Sequence, residues 1–446
     1  MLEGMAAAAP LDFRPPRLDR RVLAGARLVL PLWLRWCSGI SQVQVVERQR
    51  LDAAMEGFRA GRWRLLLAFR HPSLDDPAAL AQLLWHELPR PAHAQFLYDR
   101  GIPLWAGEGM GWLLSHLGGS SILRGKHDGP GLRSARQLLL DGPHPFAAAP
   151  EGATNGLNEA LSPLEPGVAQ LAFWTAEALR RAERPEGVQI LPIGVQYRYL
   201  RPIWPGLEAL LTRLETDLGL APPYVRRATP EALYGRLLTL AERLLDRLEV
   251  FYRSGYGAEL AELPLLDDAN TALAERLQRL LDTALALLER SFGLTPRGSL
   301  QDRCRRLEQA GWDRQYPDLG AVSPLERGLA DRLADETERR LWTMRLAEGF
   351  VGVSGHYVRD HPSQERFADT LLLLWDTRCR ILGQPPLRPR LGPQQVRLTI
   401  GAPLTVDERQ EAYRADRRRA VAVLTDDLRD RLQGLIVPSP LTSGRH

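Results

Sequence analysis

A chain of 446 residues is long enough for about three domain-sized units of ~150 residues, and with 44% hydrophobic and 25% charged residues it excludes wholesale disorder. Three widely spaced cysteines, Cys37, Cys304 and Cys379, exclude a disulfide scaffold and a thiolate zinc site, and they fit a reducing compartment. The formal charge of +4 is dispersed and interleaved with acids, so no nucleic-acid partner is expected, and no His, Asp or Glu spacing marks a metal site. All but one of the 58 basic residues are arginine, Lys126 being the lone lysine.

Residues 1–40 form a basic, then apolar, N-terminal segment. The start, Met1-Leu2-Glu3-Gly4-Met5, is acidic before it is basic and has no charged n-region running directly into an apolar stretch, so no signal peptide is expected. Val22–Ile40 contains Arg27, Pro31 and Arg35, which is unlike the ~20 nearly uncharged residues of a bilayer span. Arg14, Arg17, Arg20 and Arg21 precede Leu28, Leu30, Leu32, Trp33, Leu34 and Trp36. That order suits a helix lying flat among lipid headgroups and equally one packed on the domain.

From 41 to 202, short apolar runs alternate with helical stretches. Residues 43–45, 65–69, 96–98, 121–123, 146–149 and 188–197 read as strands, and 77–87, 110–117, 131–140 and 167–182 as helices. This alternation predicts an α/β layer architecture with a largely buried sheet. From 203 to 390 the pattern turns helical. Thr229-Pro230 starts a helix bearing Leu233, Leu237, Leu240, Leu244 and Leu248; a second runs from Leu273 to Gly293; Ser323-Pro324 and Phe367 open two more. Their Arg and Glu residues are expected on the solvated face. Within 391–446, Val396, Leu398 and Ile400 alternate with polar residues, and 407–432 reads as one charged amphipathic helix. A lone strand cannot satisfy its own backbone, so this one is expected to return to the sheet of the first half. The segment 203–390 then becomes a large all-α insertion in an α/β domain made of 41–202 and 391–446.

The chemistry-bearing run follows the buried strand of 65–69: Arg70-His71-Pro72-Ser73-Leu74-Asp75-Asp76-Pro77. A neutral imidazole can take a proton from a hydroxyl if a carboxylate holds its other nitrogen, and Asp76 is placed to do so. No nucleophilic Ser or Cys is needed when the attacking hydroxyl belongs to the substrate. Asp76 before Pro77 also fits a plain helix start, and Ser73 fits either support of the His loop or a cap. His361-Pro362-Ser363 repeats the beginning of the motif, but Arg366 stands where the acid would be.

His71-Pro-Ser-Leu-Asp-Asp76 resembles the first block of the glycerolipid acyltransferase family typified by 1-acylglycerol-3-phosphate acyltransferase. Gly118-Gly-Ser-Ser-Ile-Leu-Arg124, Pro150-Glu151-Gly152 and Ile190-Leu191-Pro192-Ile193 resemble its second, third and fourth blocks, in the right order. The likeness covers roughly 41–202 and 391–435. It implies a mixed sheet flanked by helices and acyl transfer from a thioester, acyl-CoA or acyl carrier protein, to a lysophospholipid hydroxyl, with no further cofactor. It implies His71 as general base and Asp76 as its orienting partner. Arg124 would bind the acceptor's phosphate, with Glu151, Gly152 and Ser73 shaping the acceptor site. The protein would then sit on the cytoplasmic face of a membrane. The family's third block usually continues with threonine and arginine; here Ala153 and Thr154 follow, so an arginine is missing. Arg133, Lys126 or a cation from the insertion would have to replace it. Glycerol 3-phosphate or a lyso-ornithine lipid as acceptor, or a non-catalytic lipid- or partner-binding role, are the alternatives. The oligomeric state is not legible.

Overall fold

The computed structural model describes residues 6–221, 229–264, 266–350 and 355–441. Asp19 opens helix α1 (Arg20–Trp33) by accepting the backbone N–H groups of Arg21 and Val22. A wide turn at Leu34–Ser38, closed by Gly39 at φ 74°, leads into β1 (Ile40–Val46) and α2 (Arg48–Arg59). Next come β2 (Trp63–Phe69), α3 (Asp76–Gln82), β3 (Gln95–Asp99), α4 (Ile102–Ala106) and α5 (Glu108–His116). The first half ends with β4 (Gly119–Ile122), α6 (Gly129–Asp141), β5 (Phe146–Ala148), α7 (Gly167–Arg181) and β6 (Gly187–Tyr199). The strands read from the sequence are present here with ends shifted by a few residues at most.

Six long helices follow: α8 (Trp204–Asp217), α9 (Pro230–Tyr256), α10 (Ala269–Phe292), α11 (Leu300–Gln315), α12 (Pro324–Glu348) and α13 (Gln364–Ile381). The chain then forms β7 (Gln394–Ile400), the two-residue β8 (Leu404–Thr405), α14 (Gln410–Ala415) and α15 (Arg417–Gln433). The expected single helix of 407–432 is in fact broken. Asp416 adopts an extended backbone and caps the N-terminus of α15 through the Arg419 N–H. The helices α8 and α11 have no counterpart in the sequence reading.

One mixed eight-stranded sheet runs in the order β1-β7-β6-β2-β5-β3-β4, with β8 also on β6. The returning strand β7 is antiparallel to β6, Tyr199 opposite Gln394 and Ile193 opposite Ile400, and parallel to β1. Because successive side chains alternate faces, Leu65, Leu67 and Phe69 of β2 pack toward α1–α3, while Leu66 and Ala68 pack toward α6, α7 and α15. Leu65 through Ala68 have no exposed surface, so each leucine contributes roughly 1.5–3 kcal/mol of burial. A strand apolar on both faces is what a central parallel strand requires.

The helical block has its own apolar core, built on Leu237, Leu285, Leu307 and Leu341. Its charges depart from expectation. Arg236, Arg303, Glu215, Glu249 and Glu289 are buried, not solvated, and pair across helices: Arg303 Nη2 to Glu289 Oε2 at 2.9 Å, Arg236 Nη2 to Glu215 Oε2 at 2.6 Å, Arg279 Nη2 to Glu249 Oε1 at 2.6 Å. A guanidinium fork matched by a carboxylate keeps both charges satisfied away from water.

Candidate functional site

β2 ends at Phe69 in the middle of the sheet, where a rigid frame presents the following loop. Arg70 turns inward and has no exposed surface. Its Nη1 donates to the Asn158 carbonyl at 2.7 Å, and its Nη2 donates to those of Leu157 and Ala160 at 3.0 and 2.8 Å. This fixes the segment 157–160 against the strand end. Asn158 completes the clasp by exchanging two 2.7 Å hydrogen bonds with the backbone of Tyr197. The sequence offers no sign of this job for Arg70.

His71 Nδ1 lies 3.0 Å from Asp76 Oδ2. The same Oδ2 accepts the Ser73 backbone N–H at 2.8 Å, and Oδ1 accepts the Tyr197 hydroxyl at 2.5 Å. Asp76 is fully buried. A carboxylate surrounded by donors only accepts, so Nδ1 carries the imidazole proton and Nε2 presents its lone pair. That Nε2 has no protein partner among the described residues, and His71 lines the large cleft described below. Burial and the facing Asp76 carboxylate push the Tyr197 hydroxyl well above its ordinary range, so it stays a donor. Ser73 supports the loop through its backbone N–H, and its Oγ accepts from Asp75 N at 3.2 Å. Asp75 in turn accepts the Ser38 hydroxyl at 2.7 Å, tying the end of the α1 segment to the His loop. Tyr197 is a member of this constellation that sequence reasoning missed. Its neighbours Gln196, Arg198 and Tyr199 in the same strand give it no distinguishing signal in the sequence.

Glu151 has no exposed surface. Its carboxylate holds local backbone: Oε1 accepts the His71 N–H at 2.7 Å and Oε2 the Ser162 N–H at 2.9 Å. The Arg70 Nε lies 4.0 Å from Oε1. Glu151 therefore positions the His71 loop instead of facing the cleft. Gly152, at φ 72°, does face it, in a left-handed conformation that disfavours any side chain. Its carbonyl accepts from Arg124 Nη1, and Arg124 also pairs with Asp99. From the helical block, Arg305 Nη2 and Gln301 Nε2 donate to the Glu151 carbonyl at 3.0 and 3.3 Å. No sequence signal points to α11 as part of this site.

Other candidates lie elsewhere. Lys126 is on the surface, paired with Asp313 at 2.7 Å, and Arg133 is exposed. His361 Nε2 sits 2.6 Å from the Ser439 carbonyl, and Ser363 caps α13.

These groups border an open cleft of about 2380 Å³ between the strand ends and the helical block. Apolar side chains exposed to solvent surround its mouth: Val29 and Trp33 of α1, Leu74 beside His71, and Leu104, Trp105 and Met110 near α4 and α5. Leu28 and Trp36 extend the apolar face, being 80% and 66% exposed. Among the described residues no helix is long and apolar enough to cross a membrane. No protein-family model matches the chain, and no curated protein matches it.

Proposed function

We propose that the chain is an O-acyltransferase of the glycerolipid type. It would move a fatty acyl group from an acyl thioester, acyl-CoA or acyl carrier protein, to the hydroxyl of a lysophospholipid such as 1-acylglycerol 3-phosphate. The mixed sheet is read as the acyltransferase fold, with the helical block of 203–390 inserted in it. The observation that carries this reading is the His71–Asp76 pair, with one imidazole nitrogen held by a buried carboxylate and the other free in an apolar cleft wide enough for lipid.

In this reading His71 Nε2 takes the acceptor's hydroxyl proton as its oxygen bonds to the thioester carbonyl carbon. The Asp76 carboxylate stabilises the imidazolium that forms, and Tyr197 and Ser73 N–H hold that carboxylate still. Collapse of the tetrahedral intermediate breaks the carbon–sulfur bond. The imidazolium then returns its proton to the departing thiolate, leaving an ester and a free thiol. The exposed apolar rim with Arg20, Arg21 and Arg35 around it suits a lipid surface carrying anionic headgroups. A protein lying there would draw both lipid substrates directly from the membrane.

The test is free-thiol release from an acyl-CoA with 1-acylglycerol 3-phosphate as acceptor; glycerol 3-phosphate and a lyso-ornithine lipid serve as the other acceptors. His71→Ala is expected to lower the rate by about 10³-fold, the loss of a general base. Equal rates for wild type and variant, or no turnover by wild type with any acceptor, would refute the assignment. The second outcome would leave a lipid-binding role.

A further inference from the structure

The helical block brings a guanidinium into the cleft wall beside Arg124. Arg305, on α11, is buried, with a side-chain exposure of 8%. Its Nη2 donates to the Glu151 carbonyl at 3.0 Å, its Nη1 pairs with Glu165 and lies 3.9 Å from Asp302, and its buried Nε has no hydrogen-bond partner. Arg124 reaches the next carbonyl, that of Gly152. The two guanidinium groups therefore bracket one peptide, Glu151-Gly152, and both line the cleft. Gly152 keeps this place open: a Cβ there would stand 1.8 Å from Glu165 Oε1 and 2.8 Å from Arg305 Nη2.

We propose that Arg305 and Arg124 together form a binding site for a phosphomonoester, the phosphate of the acceptor lipid, which takes the place of Glu165 on Arg305. This rests on the acyl-transfer reading above and names the residue that sets its acceptor preference. Planar guanidinium forks match the oxygens of a phosphate, and a second fork at an angle to the first engages more of them. A buried Nε–H without an acceptor is a cost that an incoming oxygen removes. Burial raises the Glu165 carboxyl above the ordinary glutamate range, which lessens the cost of taking its charge off Arg305. Neither surface alternative competes, since Lys126 and Arg133 do not line the cleft. The arginine absent after Pro150-Glu151-Gly152 is thus supplied from a helix more than a hundred residues further along the chain.

The test uses the full chain with two readouts. In the first, the preference for 1-acylglycerol 3-phosphate over phosphate-free 1-acylglycerol, as a ratio of kcat/KM, is expected to fall about 10- to 100-fold in Arg305→Gln. An unchanged ratio would overturn the proposal. In the second, calorimetry measures binding of glycerol 3-phosphate and of inorganic phosphate. Glu165→Gln, which frees Arg305, is expected to tighten glycerol 3-phosphate several-fold, while Arg305→Gln weakens it. A purely structural Arg305–Glu165 pair predicts the same sign for both variants, and that result would refute the site. Binding of inorganic phosphate without glycerol 3-phosphate would assign it to free phosphate and overturn the acceptor role. If Arg305→Gln fails to fold, Arg305→Lys and Glu165→Gln decide by the same signs. Arg305-dependent binding in a wild type that transfers no acyl group would support the site and refute the acyl-transfer reading alone.

Discussion

Asp76→Asn separates the two services that the buried carboxylate gives to His71. The amide is nearly isosteric. With its oxygen in the Oδ2 position it still accepts from Ser73 N and from His71 Nδ1, and its NH2 group faces Tyr197, whose hydroxyl turns to accept. The resting tautomer and the fold therefore survive, at a cost of about 1 kcal/mol for the exchanged hydrogen bonds. What disappears is the negative charge beside the imidazolium. At the observed 3.0 Å, and with an effective dielectric constant of about 20, that charge is worth about 5 kcal/mol. Each 1.4 kcal/mol is about a factor of ten, so the transfer rate is expected to fall by about 10³- to 10⁴-fold. The assay is thiol release under saturating acceptor, paired with a thermal melt. A variant within tenfold of wild type, with its melting temperature retained, would show that the carboxylate's charge has no part in the reaction.

Three further outcomes follow from the geometry. Arg70→Met leaves the carbonyls of Leu157, Asn158 and Ala160 without their donor and Glu151 without its neighbouring cation. Urea unfolding is expected to show a loss of about 3–5 kcal/mol, and a loss under 1 kcal/mol would contradict the clasp. Burial pushes Asp369, which accepts from Tyr357 Oη and Asn158 N, up to about 7, so the folded state holds its proton where the unfolded chain has released it. Stability should therefore fall by about 3 kcal/mol as pH rises from 4 to 7 at this position, and Asp369→Asn should remove that slope in melts taken across the range. Leu28→Glu with Leu32→Glu, on the exposed face of α1, should cut sedimentation with anionic-lipid vesicles by tenfold or more without lowering the melting temperature. Undiminished vesicle binding would place the membrane contact elsewhere.

What the sequence revealed of this site was its local part. His71 and Asp76 lie five residues apart, at the end of an apolar run that could only be a buried strand, and both helical spacing and strand alternation are short-range signals. Tyr197 and Asp76 are 121 positions apart, and Arg305 and Glu151 are 154 apart, so no periodicity links them. Arg70 carries no local sign of its role because its acceptors are backbone carbonyls, which every residue possesses. The same reason hid α11. Its buried face includes Arg303, Arg305 and Gln315, polar groups whose inward turn is decided by partners on other elements. The return of the strand at 394–400 was legible because an isolated alternating run has nowhere else to satisfy its backbone; the break at Asp416 was not, because the charged pattern continues through it.

The position of β7 has a consequence for how the molecule is made. Among the described residues β1 pairs with no strand except β7, and in their register Gln44 meets Arg397. A ribosome would therefore release the first strand long before the segment that completes it. Until then the nascent N-terminal region, with its bare tryptophans and leucines, carries an unpaired edge. Pairings between such distant segments form slowly. Truncation before residue 394 is therefore expected to leave β1 without the strand it pairs with, however complete the rest of the first half is.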